Sequence, residues 1–233
     1  VTRQGNRATG GRRRASHSME SVLEEAVALL DEAGAPALTF RALAQRLGGG
    51  VASIYWYVAN KDELLDRAAD HAIGPVLADF EKLPPSDDPI DDLRAMAVTL
   101  FTAIMRRPWL SAYFMRNPGI QDNTLGVYER LGRQTLRLEL TALQRFHAVS
   151  AVIGVVVGSA ADLGLELTEG MIDGSVDRDK YLGDVAQEWR ELDPGEFPFV
   201  REIVEEFAGH DDVEQFRSAL ELTLAGLRQQ AGT

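Results

Sequence analysis

Three consecutive aromatic residues, Tyr55, Trp56 and Tyr57, are followed four positions later by Lys61. A lysine at the start of a helix, with the free backbone N–H groups there, is equipped to hold a phosphate. Aromatic side chains at helical spacing point in three directions, so the trio cannot all enter one core. This is the chemistry of binding, and nothing in the sequence adds the chemistry of bond making. There is no Walker loop, G-x-S-x-G elbow, HExxH or GxGxxG. His17, His71, His147 and His210 are dispersed, and there is no cysteine for a disulfide or a thiolate metal site. Asp173, Asp177 and Asp179 lack the order of ligands and the closing glutamate of an EF-hand, and read as a solvated loop. The chain is expected not to be an enzyme and to use no cofactor and no metal.

The elements that would position these residues begin at Thr39. Phe40, Leu43, Ala44 and Leu47 fall at the spacing that turns one helix face toward a core. Gly48, Gly49 and Gly50 then break the helix. Val51 to Tyr57 follows as a helix of about two turns, too short to be stable alone, so its neighbours must prop it. A short helix propped after a glycine turn is the helix-turn-helix arrangement, which presents a reading helix to the DNA major groove. Val51, Ala52 and Ser53 then open that helix, where side chains first meet base edges. Val51 and Ala52 can touch a thymine methyl but cannot donate a hydrogen bond. Tyr55 is expected to pack in part, with Trp56 and Tyr57 nearer the phosphates or the groove. Thr39 either caps the helix that follows it, the simpler use, or donates to a phosphate.

The run from Leu38 through Thr39, Phe40, Arg41, Ala42 and Leu43 to Gly48, continued by Ile54-Tyr55-Trp56-Tyr57-Val58-Ala59-Asn60-Lys61, resembles the DNA-binding domain of the TetR family of bacterial repressors. The resemblance covers residues 18–70. It implies an all-α chain: an N-terminal three-helix helix-turn-helix DNA-binding domain and a larger helical regulatory and dimerisation domain. It also places Arg41 at a position used for base contact. A guanidinium there grips guanine O6 and N7 with two parallel bonds, worth ~1–3 kcal/mol of discrimination; otherwise Arg41 is solvated or phosphate-bound. Specificity then rests on Arg41, Ser53, Tyr57 and DNA shape. The triple glycine departs from the family turn and is expected to loosen the reading helix.

Charge distribution agrees with a one-ended contact. The net charge is −12, yet seven arginines against five acids give +2 through Asn60, leaving −14 for the rest. Five of those arginines lie in the first 17 residues, which hold no acid. Residues 1–17 read as a basic flexible arm in which Arg12, Arg13 and Arg14 either enter a minor groove or remain in a solvated tail. With no apolar stretch there, no signal peptide is expected. The longest uncharged run, Phe146 to Ala161, has 16 residues, fewer than the ~20 that span a bilayer, so it reads as a buried helix and no membrane partner is expected.

The arm, a DNA-binding domain over 18–65 and a ligand-binding and dimerisation domain over 66–233 make up the expected organisation. Helices are predicted from Ser18 to a stop at Gly34 and Pro36, then over 61–80 with Asn60 as cap, and after the Leu83–Pro89 break over 90–106, 108–115, 122–140, 141–167 and 212–230. Residues 168–200 read as the least regular part. The 141–167 and 212–230 helices either pair with a second subunit as a four-helix bundle or fill a monomer core.

Phe146-His147 through Gly154 resembles, more loosely, the start of the family's long dimer-forming helix. Family members that take a magnesium–tetracycline chelate do so with histidines. The matching positions here are Leu77 and one near Tyr113, neither a substitute, so that ligand is not expected. Met105, Trp109, Tyr113, Phe114, Met115, Tyr128 and Phe146 either line a pocket for an organic ligand or pack an ordinary core. His147 is either a satisfied core histidine or a polar contact in that pocket. The resemblance implies a cytoplasmic, ligand-responsive repressor. It would bind a palindromic double-stranded DNA operator as a homodimer, be released by a small organic effector, and control an exporter or antibiotic-related pathway. The alternative is a regulator of the same fold without a small-molecule effector, controlled by a protein partner or by abundance.

Overall fold

The computed structural model describes residues 17–114, 121–166 and 178–232. Arg12, Arg13, Arg14, Met115 and the 173–177 stretch lie outside the described residues. Among those described there are eleven α-helices, one 3-10 turn and no strand. The chain divides into two compact units, 1–68 and 69–233, and the division falls within one helix.

The smaller unit holds α1 (Met19–Ala37), α2 (Phe40–Arg46), α3 (Val51–Ile54) and the start of α4 (Lys61–Phe80). α1 opens on a capping box in which the Ser18 and Ser21 hydroxyls each accept the other residue's backbone N–H. Gly34, at φ 68° and ψ −176°, takes α1 out of helical geometry, so the predicted stop is where the helix breaks despite its nominal end at Ala37. Val22, Ala26, Leu30, Leu38, Leu43, Ile54 and Leu64 are buried together in this unit.

The larger unit continues α4 and adds α5 (Pro89–Met105), a 3-10 turn (Pro108–Leu110), α6 (Ser111–Phe114), α7 (Asp122–Thr135), α8 (Ala142–Glu166), α9 (Arg178–Glu191), α10 (Pro198–Ala208) and α11 (Asp212–Gln230). α5 is its axis. Ile90, Leu93, Ala97, Leu100, Phe101 and Ile104 are buried, and the helix packs on α7, α8 and α11. Phe101 stacks on Phe216 of α11 with ring centroids 3.8 Å apart and planes 6° off parallel.

Two expectations fail here. Residues 168–200, read as irregular, contain α9 and the start of α10. Among the described residues of α9 only Leu182 and Ala186 are buried, too thin a stripe to show as periodicity. The pair is held instead by Trp189 stacked on Phe207 at 4.1 Å and by Arg190 forked on Glu205 at 2.8 and 2.9 Å. α7 stops at Thr135 rather than running to 140, because Arg145 of α8 reaches back to the carbonyls of Thr135 (3.2 Å) and Leu138 (3.3 Å).

The uncharged run also needs correction. The helical stretch Ala142–Asp162 is 21 residues with a mean hydropathy of 1.3, long and apolar enough to cross a membrane by length and composition, and it is 28% buried. It packs on α5, α7 and α11 along one side. Leu143 and Phe146 stand exposed on it.

Candidate functional site

The glycine turn is tighter than its composition implies. Gly48 sits at φ 66°, a conformation only glycine adopts without strain. At Gly49 a Cβ would stand 3.2 Å from Ser53 Oγ and 3.5 Å from His17 Nε2. The Gly49 N–H donates to the Ala44 carbonyl at 2.9 Å and the Gly48 N–H to Gln45 at 3.1 Å, which closes α2. Only Gly50 is unconstrained by contact or conformation. Two of the three glycines therefore have a geometric reason to be glycine, one conformational and one steric.

α3 itself spans four residues, one turn rather than two, with hydrogen-bonded turns carrying the chain on to Tyr57. A single turn has no stability of its own. Ile54 and Val58, both buried, anchor the segment, each worth roughly 1.5–3 kcal/mol on full burial. That anchoring leaves the opposite face in solvent: Val51 and Ala52 are exposed, Tyr55 is 58% exposed and Trp56 87% exposed. Tyr55 nevertheless rests edge-on against Phe40, with centroids 4.8 Å apart.

The residues expected to meet DNA divide into two sets. Arg41, Val51, Ala52 and Trp56 are exposed, and among the described residues Arg41 makes no ion pair. The others are already engaged. Thr39 caps α2, its hydroxyl accepting the Ala42 N–H at 3.1 Å. The Ser53 hydroxyl donates to the Gly50 carbonyl at 2.6 Å. Tyr57 turns inward, against expectation, and its hydroxyl donates to the backbone carbonyl of His17. Lys61 donates from Nζ to the Ala35 carbonyl at 2.8 Å, at the end of α1.

The start of α4 is also less open to a phosphate than its lysine implied. Asn60 accepts the Glu63 N–H at 2.8 Å, and Glu63 accepts the Ala59 N–H at 2.7 Å. That backbone bond, with Arg67 adding to it, holds the Glu63 carboxyl below its usual range and so keeps an anion at this end. Sequence reasoning passed over His17, whose role is carried by a backbone carbonyl that any residue supplies.

The predicted effector-binding residues are scattered through the larger unit. Phe114 is buried; Met105, Trp109, Tyr113 and Tyr128 are half-buried. Trp109 and Tyr113 rings lie 6.5 Å apart, beside α5 and α8. Tyr128 comes within 3.4 Å of the Ser150 hydroxyl. Phe146 and His147 are exposed in the single chain, so neither is a core residue there, and their rings lie 5.7 Å apart. Three cavities described in this unit, of about 360, 290 and 400 Å³, are lined by other residues, among them Asp162 and Gln215, Arg94 and Leu224, and Phe207 and His210. Among the described residues no group of three or more acids or histidines could hold a metal.

Residues 22–68 match the family model described as bacterial regulatory proteins, tetR family, and residues 83–231 match the tetracyclin repressor-like C-terminal domain. A transcriptional regulator of Streptomyces coelicolor, SCO7222, described as a TetR, is 33% identical. The match covers 92% of this chain and 99% of that one, with a TM-score of 0.74. The repressor DrrR1 of Streptomyces coeruleorubidus is 27% identical over 90% of this chain and 77% of its own. A regulator of Saccharopolyspora erythraea is 30% identical over 62% of this chain, which spans 60% of that protein. The S. coelicolor protein ActR, solved in complex with actinorhodin, shares the fold at a TM-score of 0.79 and 22% identity, covering 93% of this chain and 99% of that one.

Proposed function

Because the chain belongs to the TetR family of bacterial regulatory proteins, we propose that it is a helix-turn-helix transcriptional repressor that binds a palindromic operator as a cytoplasmic homodimer and is released by a small organic effector. The observation that carries this reading is that Arg41, Val51, Ala52 and Trp56 are all exposed, on and beside a one-turn helix anchored by the buried Ile54 and Val58. A short helix presented in this way is what a major-groove reader requires. A palindrome needs two heads ~34–36 Å apart, hence two copies. The half-exposed apolar α8, with Leu143 and Phe146, and α11, with Leu222 at 78% exposure, supply the surface for a four-helix contact.

For the effector, support comes from the half-buried Trp109 and Tyr113 and from ActR, whose complex with actinorhodin shows that this fold accepts an organic ligand. The regulated genes we place with an exporter or a pathway handling the same compound, on the family alone. The effector-free alternative, control by a protein partner or by abundance, makes the opposite prediction about release by a compound.

Screening organic compounds for release of the protein from a labelled duplex taken from upstream of its gene separates the two readings. A releasing compound whose dose response shifts in Trp109→Ala, with operator affinity intact, is the expected outcome. An unaltered dose response would remove Trp109 from the pocket, and no release by any compound would favour the alternative.

A further inference from the structure

α7 begins without a cap of its own. Its N-cap residue, Gln121, makes no side-chain capping hydrogen bond, although the first-turn N–H groups need acceptors. The acceptor comes from the linking helix α4, from a residue in the same compact unit as α7. Asp70 accepts through Oδ1 from the Thr124 N–H at 2.8 Å and the Thr124 hydroxyl at 3.0 Å. Through Oδ2 it accepts from the Asn123 N–H at 3.3 Å and the Asn123 amide at 3.1 Å, and that amide also donates to the Asp70 carbonyl at 3.1 Å. Asn123 and Thr124 are the second and third residues of α7, the positions a capping side chain normally serves. Asp70 is 9% exposed and Thr124 6% exposed.

The contact continues along one edge of α4. At Gly74 a Cβ would stand 3.5 Å from the Asn123 amide, and at Gly126 a Cβ would stand 2.9 Å from Leu77 Cδ1. Glu81 pairs with Arg130 at 2.7 Å. Positions 70, 74 and 77 follow the helical repeat, with Glu81 one residue past the end of α4, so the two helices meet along a line and not at one point.

We infer that Asp70 is a latch: by capping α7 from outside, it couples the first turn of α7 to the linking helix and so sets the spread of the two operator-binding heads. This rests on the homodimer proposed above. A carboxylate on helix-terminal N–H groups is held by charge-assisted bonds and the helix dipole. A shift of the first turn of α7, which follows the segment carrying Trp109 and Tyr113, therefore drags α4 with it. Asp70 is a positioning residue that touches neither operator nor effector.

The chain has no cysteine, so Glu24→Cys, at an exposed site on α1, takes one nitroxide per subunit. Inter-label distances by pulsed electron paramagnetic resonance are compared for otherwise wild-type protein, Asp70→Asn, Asp70→Ala and Asp70→Ala/Gln121→Asp, with thermal unfolding alongside. Gln121 has the extended backbone of a cap position, φ −102° and ψ 124°, so an aspartate there caps α7 from its own chain. The expected result is a Tm lowered in Asp70→Ala and largely restored in the double variant. The distance distribution in both is expected to be about twofold wider than wild type, with Asp70→Asn in between, as loss of a state-fixing contact requires. A wild-type width in the double variant would reduce Asp70 to a cap and overturn the latch. Absence of any inter-label distance in the wild-type background would overturn the dimer, and with it the latch that acts through it.

Discussion

Two arginines on α2 have opposite fates. Arg46 is tied to α1 through Glu32 and, at 3.6 Å, Glu25, whereas Arg41 stands exposed with no ion pair among the described residues. Arg41 is thus the α2 guanidinium that we propose for a base edge. Arg41→Ala is expected to weaken operator binding by about 1–3 kcal/mol, roughly tenfold or more. Its sedimentation should match wild type; unchanged binding would remove Arg41 from the interface. What the sequence revealed at this scale depended on where each partner lies. Thr39 was legible as a cap because its acceptor role is local, three residues ahead. Tyr57 and Lys61 were not, because each donates to a distant backbone carbonyl, of His17 and of Ala35, and a carbonyl leaves no mark in the residue type.

Elements with a wide apolar stripe and local caps were readable: α2, α4, α5 and α11 begin and end within a residue or two of where periodicity and capping put them. α9 was not, since its stability lies in the stacked Trp189 and Phe207 and the Arg190–Glu205 fork, partners that meet only once the chain turns. α11 is clamped to α5 in a way that pH can probe. Arg94 bridges Asp91 and Glu221, and Arg228 pairs with Asp88. The hydrogen bond from Arg94 holds Glu221 below its ordinary 4.5. Those from Arg228 and the Ile90 N–H hold Asp88 below its ordinary 3.8. Both folded-state values are depressed, so this contribution is complete above the ordinary values and is lost as pH falls through the lowered ones. These groups are partly solvated and the effect is modest and screened by salt. Tm is expected to hold near neutral pH and to fall below about pH 4.5, with a shallower acid limb in Arg94→Ala. Identical acid limbs in the two proteins would show that the clamp does not contribute.

At the scale of the molecule, the chain has a net charge of −12 but five arginines and no acid in its first 17 residues, and the residues proposed to face DNA, Arg41, Val51, Ala52 and Trp56, are exposed in the smaller unit. On the proposed reading, attraction for phosphate belongs to the N-terminal part of the chain, and the few contacts made there set the salt dependence. The central claim is that this end reads sequence. Fluorescence anisotropy with a duplex from the gene's own upstream region, against a scrambled duplex and across a salt series, tests it most directly. The account predicts tight binding to the native duplex, at least tenfold weaker binding to the scrambled one, and a linear fall of log affinity with log salt, with a slope of about −0.9 for each phosphate contacted. Equal, weak binding to both duplexes at every salt concentration would contradict it.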